Sequence, residues 1–271
     1  KSPTVTPEGQ LFLPEQYGSQ EIVYSNISYF DKEITSDETG YSIELPVGER
    51  EIEVDTVFGG KTTKTVNIKE NQTTSEDIII PLPDNFPVEK WKRADGTNPF
   101  PYINDSNILV RWNKKEITYS VEFSSYFDSH DKEVYMNNLR EGVNAVDDFM
   151  GELVDYKEVD DPTNADINFI IKNNLDYKGS TLNTYNGNEI IHSEIKLNGS
   201  SLYKTNGAKI TAHELGHSLG FSHSHDEKDL MYNDGFFWIT LDEWKNELND
   251  EKMIFGLVYS LKLGTINPIT D

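Results

Sequence analysis

The sequence predicts an α+β protein in two parts, a small β-sandwich over residues 1–84 and a larger domain of mixed sheet and helix over 104–271. Three features predict it: strand-like alternation in the first eighty-odd residues, a proline-punctuated stretch after them, and a second region where strands accompany a long amphipathic helix. In the first part, residues 21–29, 41–45, 49–57, 62–68 and 77–81 alternate apolar and polar side chains, with turn-forming clusters at 36–40 and 58–61. Short strands at this spacing suit a sandwich. Pro81, Pro83, Pro87, Pro99 and Pro101 then remove backbone donors and hold the chain extended, so 85–103 reads as a linker in which Trp91 and Phe100 can dock on a domain. In the second part, 116–121 reads as a strand. Residues 131–151 set Tyr135, Leu139, Val143, Val146 and Met150 close to a 3.6-residue period, which predicts a helix with one buried face. Further strands are expected at 165–171 and 190–197, and a short helix over 209–219. A last helix is expected to start near Thr240, where Thr240 and Glu243 have capping-box spacing.

Composition narrows the function. The 271 residues carry 47 acidic and 24 basic side chains, a formal charge of −23. Nucleic-acid binding, which needs basic stripes to displace counterions, is therefore not expected. Solubility is the simplest reading of the acidity, with calcium, a cationic substrate or a salty habitat as the other readings. No run approaches the roughly 18 apolar residues of a membrane helix, so no membrane span is expected. There is no cysteine, which rules out disulfides and thiolate metal sites; any zinc must be held by histidine and carboxylate. This composition, with a first residue other than methionine, leads us to expect a secreted or cell-surface monomer of prokaryotic type from which an upstream segment has been removed.

The chemistry is concentrated in one stretch. Four of the six histidines lie in 211–225, TAHELGHSLGFSHSH. His213 and His217 are one helical turn apart and face the same way, close enough to hold one ion. Glu214 is one step round the helix, where its carboxylate can reach a water on that ion. Gly220 permits a sharp turn, with positive φ, that ends the helix, and His223 can then swing back as a third ligand. Three neutral nitrogens around zinc leave a fourth position for water, the requirement of a catalytic rather than a structural site. Glu214 is then the general base for that water.

The full pattern H-E-x-x-H-x-x-G-x-x-H resembles the metzincin zinc proteases, and its matrixin-like branch in particular, from about Trp112 onward. Met231, eight residues after His223, has the matrixin offset for the methionine of the turn beneath the metal. The resemblance implies that Met231 is a hydrophobic floor and not a ligand. It also implies a mixed twisted sheet with a zinc helix and a C-terminal helix, and one catalytic zinc held by His213, His217 and His223. Substrate would lie as an extended strand along the sheet edge near 181–184, with 232–237 helping to wall the pocket beyond the cut and Phe236 and Phe237 making it apolar. The chain departs from the family pattern at Asn233, where a proline is usual, and no spaced His/Asp segment for a structural zinc is legible between 171 and 197. Structural calcium has no readable motif. The stretch ITSDETGYSIELPVGEREIEV, 34–54, resembles one hairpin of the transthyretin-like, carboxypeptidase regulatory-like modules of secreted enzymes, which implies a spacer or binding module.

Other residues invite blander readings. His225 and His130 read as surface histidines, and Asp160, Asp161, Asp226, Glu227 and Asp229 as solvated charge. The expected function is zinc-dependent hydrolysis of peptide bonds by a secreted endopeptidase. The alternatives are an adhesive or binding protein whose zinc site turns over little, and a zinc hydrolase acting on something other than protein. Glu214 separates the first of these from an enzyme.

Overall fold

The computed structural model describes residues 3–72, 74–88, 109–151, 153–203, 206–224, 226–232, 240–246 and 250–263. The chain divides into two compact units, Arg93–Glu251 and a second built from Lys1–Lys92 together with Lys252–Asp271. No described helix is long and apolar enough to cross a membrane. The expected linker, with Trp91 and Phe100, lies almost wholly outside the described residues.

The unit containing the N-terminal segment is built mainly of strands. Its largest sheet is antiparallel, with β1 (Asn26–Tyr29), β2 (Lys32–Thr35), β3 (Gly48–Asp55) and β4 (Lys61–Ile68) in the order β4-β3-β1-β2. Along β3 the alternation is literal: Ile52 and Val54 are buried while Glu49, Glu51 and Glu53 face water. The strands expected at 41–45 and 77–81 shrink to the pairs Tyr41–Ser42, Leu45–Pro46 and Ile78–Ile79. Leu11–Phe12 lies between Ile78–Ile79 and Glu21–Ile22 in a separate three-stranded sheet. The turn before Tyr41 is tied by reciprocal Asp37–Gly40 backbone bonds of 3.0 and 2.9 Å, and Tyr41 donates its hydroxyl to the Glu76 carbonyl at 2.6 Å. The later residues of a C-terminal helix also belong here. Val23 N–H donates to the Ser260 carbonyl at 2.7 Å, and Gly256 lies against the backbone of Val57 and Phe58.

The second unit carries the sheet that positions the histidines. Its strands are β5 (Glu116–Phe123), β6 (Asp155–Glu158), β7 (Ile167–Lys172), β8 (Gly179–Asn186) and β9 (Glu189–Asn198), in the order β6-β5-β7-β9-β8. All neighbours are parallel except β8, which pairs antiparallel with β9 and forms one edge. Between β5 and β6 runs α1 (Ser129–Met150), capped by the Asp128 carboxylate, which accepts from Asp131 N–H at 2.8 Å. The five apolar residues predicted for its inner face are all buried. After β9 come the short α2 (Gly199–Leu202), α3 (Gly207–Ser218), α4 (Leu241–Asn246) and α5 (Asp250–Ser260). The predicted capping box is present: Glu243 accepts from Thr240 N–H at 2.7 Å, and Thr240 Oγ1 accepts from Glu243 N–H at 3.1 Å.

Candidate metal centre

Helix α3 is buried almost all round, so polar side chains on it lie in a dry environment. His213 is 8% exposed and Glu214 5%. The helix ends in a Schellman turn: Phe221 N–H donates to the Gly216 carbonyl at 3.1 Å, Gly220 N–H donates to the His217 carbonyl at 3.0 Å, and Gly220 sits at φ +98°. The turn sends the chain back so that His223 reaches the two helical histidines. Ring centroids are 4.8 Å apart for His213 and His217, 4.7 Å for His217 and His223, and 5.3 Å for His213 and His223. One ligand nitrogen from each lies within 4.8 Å of the others.

Backbone carbonyls orient two of the rings. Nδ1 of His213 is 2.6 Å from the Leu230 carbonyl, and Nδ1 of His217 is 2.7 Å from that of Phe221. A carbonyl can only accept, so each Nδ1 carries the proton and each Nε2 keeps its lone pair. Nε2 of His217 stands 3.1 Å from Nε2 of His223. Burial pushes His213 down to about 3 and His217 down to about 4, and it lowers His223 as well. All three rings are therefore neutral near pH 7. Three converging neutral imidazoles without a thiolate form a donor set that fits zinc.

Burial drives Glu214 the other way, up to about 7, opposed by a hydrogen bond from Thr181. Its carboxylate opens, with His217 and His223, onto a cleft of about 560 Å³ lined also by Thr181, Leu182 and Tyr185 of the edge strand β8. Met231 is fully buried with its sulfur packed on Gly216, in the last turn of the histidine-bearing helix. The turn around it is held from α5: Glu251 accepts from Leu230 N–H and Met231 N–H, both at 2.7 Å, and from Trp244 Nε1 at 2.8 Å.

The structure thus brings His213, His217 and His223 together, with Glu214, His217 and His223 lining one cleft. Asp229, expected in solvent, is instead 3% exposed, because the Ser224 hydroxyl donates to its carboxylate inside the methionine turn. His130 is a surface residue whose ring lies edge-on to Tyr203. His225, Asn233, Phe236 and Phe237 lie outside the described residues. Sequence reasoning placed 181–184 at the substrate edge but missed that Thr181 and Asn183 reach α3, and it missed Glu251. The first two stand two apart in a strand, a legible spacing, but nothing in the sequence says that their face meets α3.

A buried carboxylate next to the first of three converging neutral imidazoles is an arrangement suited to a mononuclear metallohydrolase. Residues 111–254, more than half of the chain, match the family model described as Matrixin. The chain belongs to the matrixin family and is accordingly a zinc-dependent metallopeptidase. No curated protein matches the chain.

Proposed function

We propose that this metallopeptidase is a secreted endopeptidase in which His213, His217 and His223 hold zinc and Glu214 is the general base. The observation that carries the reading is the convergence of three neutral imidazoles beside a buried carboxylate at the floor of an open cleft. Zinc supplies Lewis acidity when bound, acidifying water and polarising a carbonyl oxygen. Glu214 takes the proton of the attacking water and returns it to the amide nitrogen as the C–N bond breaks. Among the described residues strand β8 has a neighbour on one side only, so an extended peptide can add to its free edge across the cleft. This favours cleavage within a chain over trimming of its ends. Secretion is supported by the family, whose members are usually extracellular. Catalysis is assigned to the part that begins near residue 104 and a spacer or binding role to 1–84, on the strand-rich character of the latter and the module resemblance carried by 34–54, whose strands pair with other segments rather than with each other.

Casein digestion with and without chelator, in wild type and variants, tests the reading. Glu214→Ala should keep about one zinc, because the carboxylate is not a ligand, yet lose about 10²–10⁴-fold in turnover. His223→Ala should lose zinc first and activity as a consequence, with partial recovery in excess zinc. Near wild-type proteolysis by Glu214→Ala would remove the base assignment. Full activity of the wild type after verified zinc removal would mean that catalysis does not use these histidines.

A further inference from the structure

We infer that Thr181 is a positioning residue for Glu214, and that strand β8 places the base as well as offering an edge to substrate. The inference rests on the proposed role of Glu214. Residues 179, 181 and 183 alternate with 180 and 182 and so share one face of the strand. Each of the three meets α3 in a different way. Gly179 presents no side chain: a Cβ there would lie 2.5 Å from Oε1 of Glu214 and 2.8 Å from its Cδ, so the carboxyl group fills that space. Thr181 Oγ1 is 2.7 Å from Oε2 of Glu214 and 3.0 Å from its backbone carbonyl. The hydroxyl has a single proton, and the shorter, charge-assisted contact is the one to the carboxylate. Asn183 donates through Nδ2 to the His217 carbonyl at 2.8 Å, fixing the strand against the helix one turn further on.

The consequence is a bracketed carboxylate. Oε2 is held by a donor and Oε1 rests over the glycine, so a side chain with three rotatable bonds is confined to one pose beside the histidines. The carboxylate is deeply buried, and among the described residues Thr181 is its hydrogen-bond donor. Removing that donor leaves a dry carboxylate unsatisfied and free to swing out of line. A general base acts only within hydrogen-bond reach of the proton it takes, so such a swing lowers turnover and leaves substrate binding largely alone.

The test compares Thr181→Val, which keeps the shape and removes the donor, with Thr181→Ser, which keeps the donor. Steady-state kinetics on a peptide substrate, bound zinc and crystal structures of both variants are measured. We expect Thr181→Val to lower kcat by about 10- to 100-fold, the range for one hydrogen bond to a charged group. KM and zinc content should stay at wild-type levels, and the Glu214 carboxylate should leave its place over Gly179. Thr181→Ser should recover kcat relative to Thr181→Val, with Glu214 back in contact with the hydroxyl. Wild-type kcat in Thr181→Val, or equal losses in both variants, would overturn the inference. Should Thr181→Val not fold, Thr181→Ala against Thr181→Ser carries the same comparison. Glu214→Ala is the parallel control: if it stays active, the base assignment itself fails, whereas an inactive Glu214→Ala beside a fully active Thr181→Val refutes the positioning role alone.

Discussion

At the scale of single residues, the methionine turn stands on a buried carboxylate. Burial and the neighbouring charge of Asp229 push Glu251 up to about 8, against the pull of three N–H donors. A carboxyl group with a raised folded-state pKa holds more protons folded than unfolded between the two values. Stability from this source is therefore complete below about 4.5 and is lost as pH rises towards about 8. The buried histidines contribute with the opposite slope at lower pH, because their folded pKa values are depressed. A comparison of two proteins cancels that background. Asp229→Asn removes the charge facing Glu251 and keeps an acceptor for the Ser224 hydroxyl. In metal-free protein, the fall in thermal midpoint between pH 5 and 8 should be shallower in Asp229→Asn than in wild type. Parallel curves would show that Asp229 does not control the ionisation of Glu251.

At the scale of elements, the turn after α3 joins local backbone chemistry to the site. Gly220 holds φ +98°, and a Cβ there would lie 2.5 Å from the Val110 carbonyl oxygen. Gly220→Ala should destabilise the protein by at least about 1–2 kcal/mol, the cost of left-handed backbone for an L-residue. It should also reduce zinc occupancy, since the same turn presents the Phe221 carbonyl to His217 and returns His223 to the cluster. Urea denaturation and metal analysis check both, and unchanged occupancy would uncouple the turn from the site. This element was legible in advance because a helix period, a glycine and three histidines at fixed offsets constrain one another locally. The face of α1 was legible for the same reason, its five apolar residues repeating along one stripe. The strands β2 and β6 were not, since KEIT and DYKE are four-residue runs without an apolar alternation to mark them. Asp229 was misjudged because its burial depends on Ser224, part of a turn that closes only in three dimensions. Thr181 and Glu251 escaped because each acts across 33 and 20–21 residues of sequence, on partners that local pattern cannot supply.

At the scale of the molecule, the unit with the N-terminal strands is discontinuous, and its second segment supplies the later part of α5. Met253, Ile254, Phe255, Leu257, Val258 and Tyr259 are all buried. Within this unit Gly256 packs on Val57 and Phe58, and Lys262 N–H donates to the Glu21 carbonyl at 2.9 Å. A chain starting at residue 93 should therefore aggregate or melt early, having lost the partners of 252–263. A chain confined to 93–251 should be the better-behaved of the two, as a compact unit without the stranded helix. Size-exclusion chromatography and thermal melts decide it. A monomeric, cooperatively melting 93–271 would show that the helix needs no partner from the first segment. The same discontinuity sets an order on synthesis. The ribosome must deliver all of 93–251 between the early strands and the helix that packs with them. At about 5–20 residues per second the strands wait on the order of ten seconds with apolar surface uncovered. During that interval the nascent chain is a client for whatever binds exposed hydrophobic segments, and the intervening unit has time to fold first.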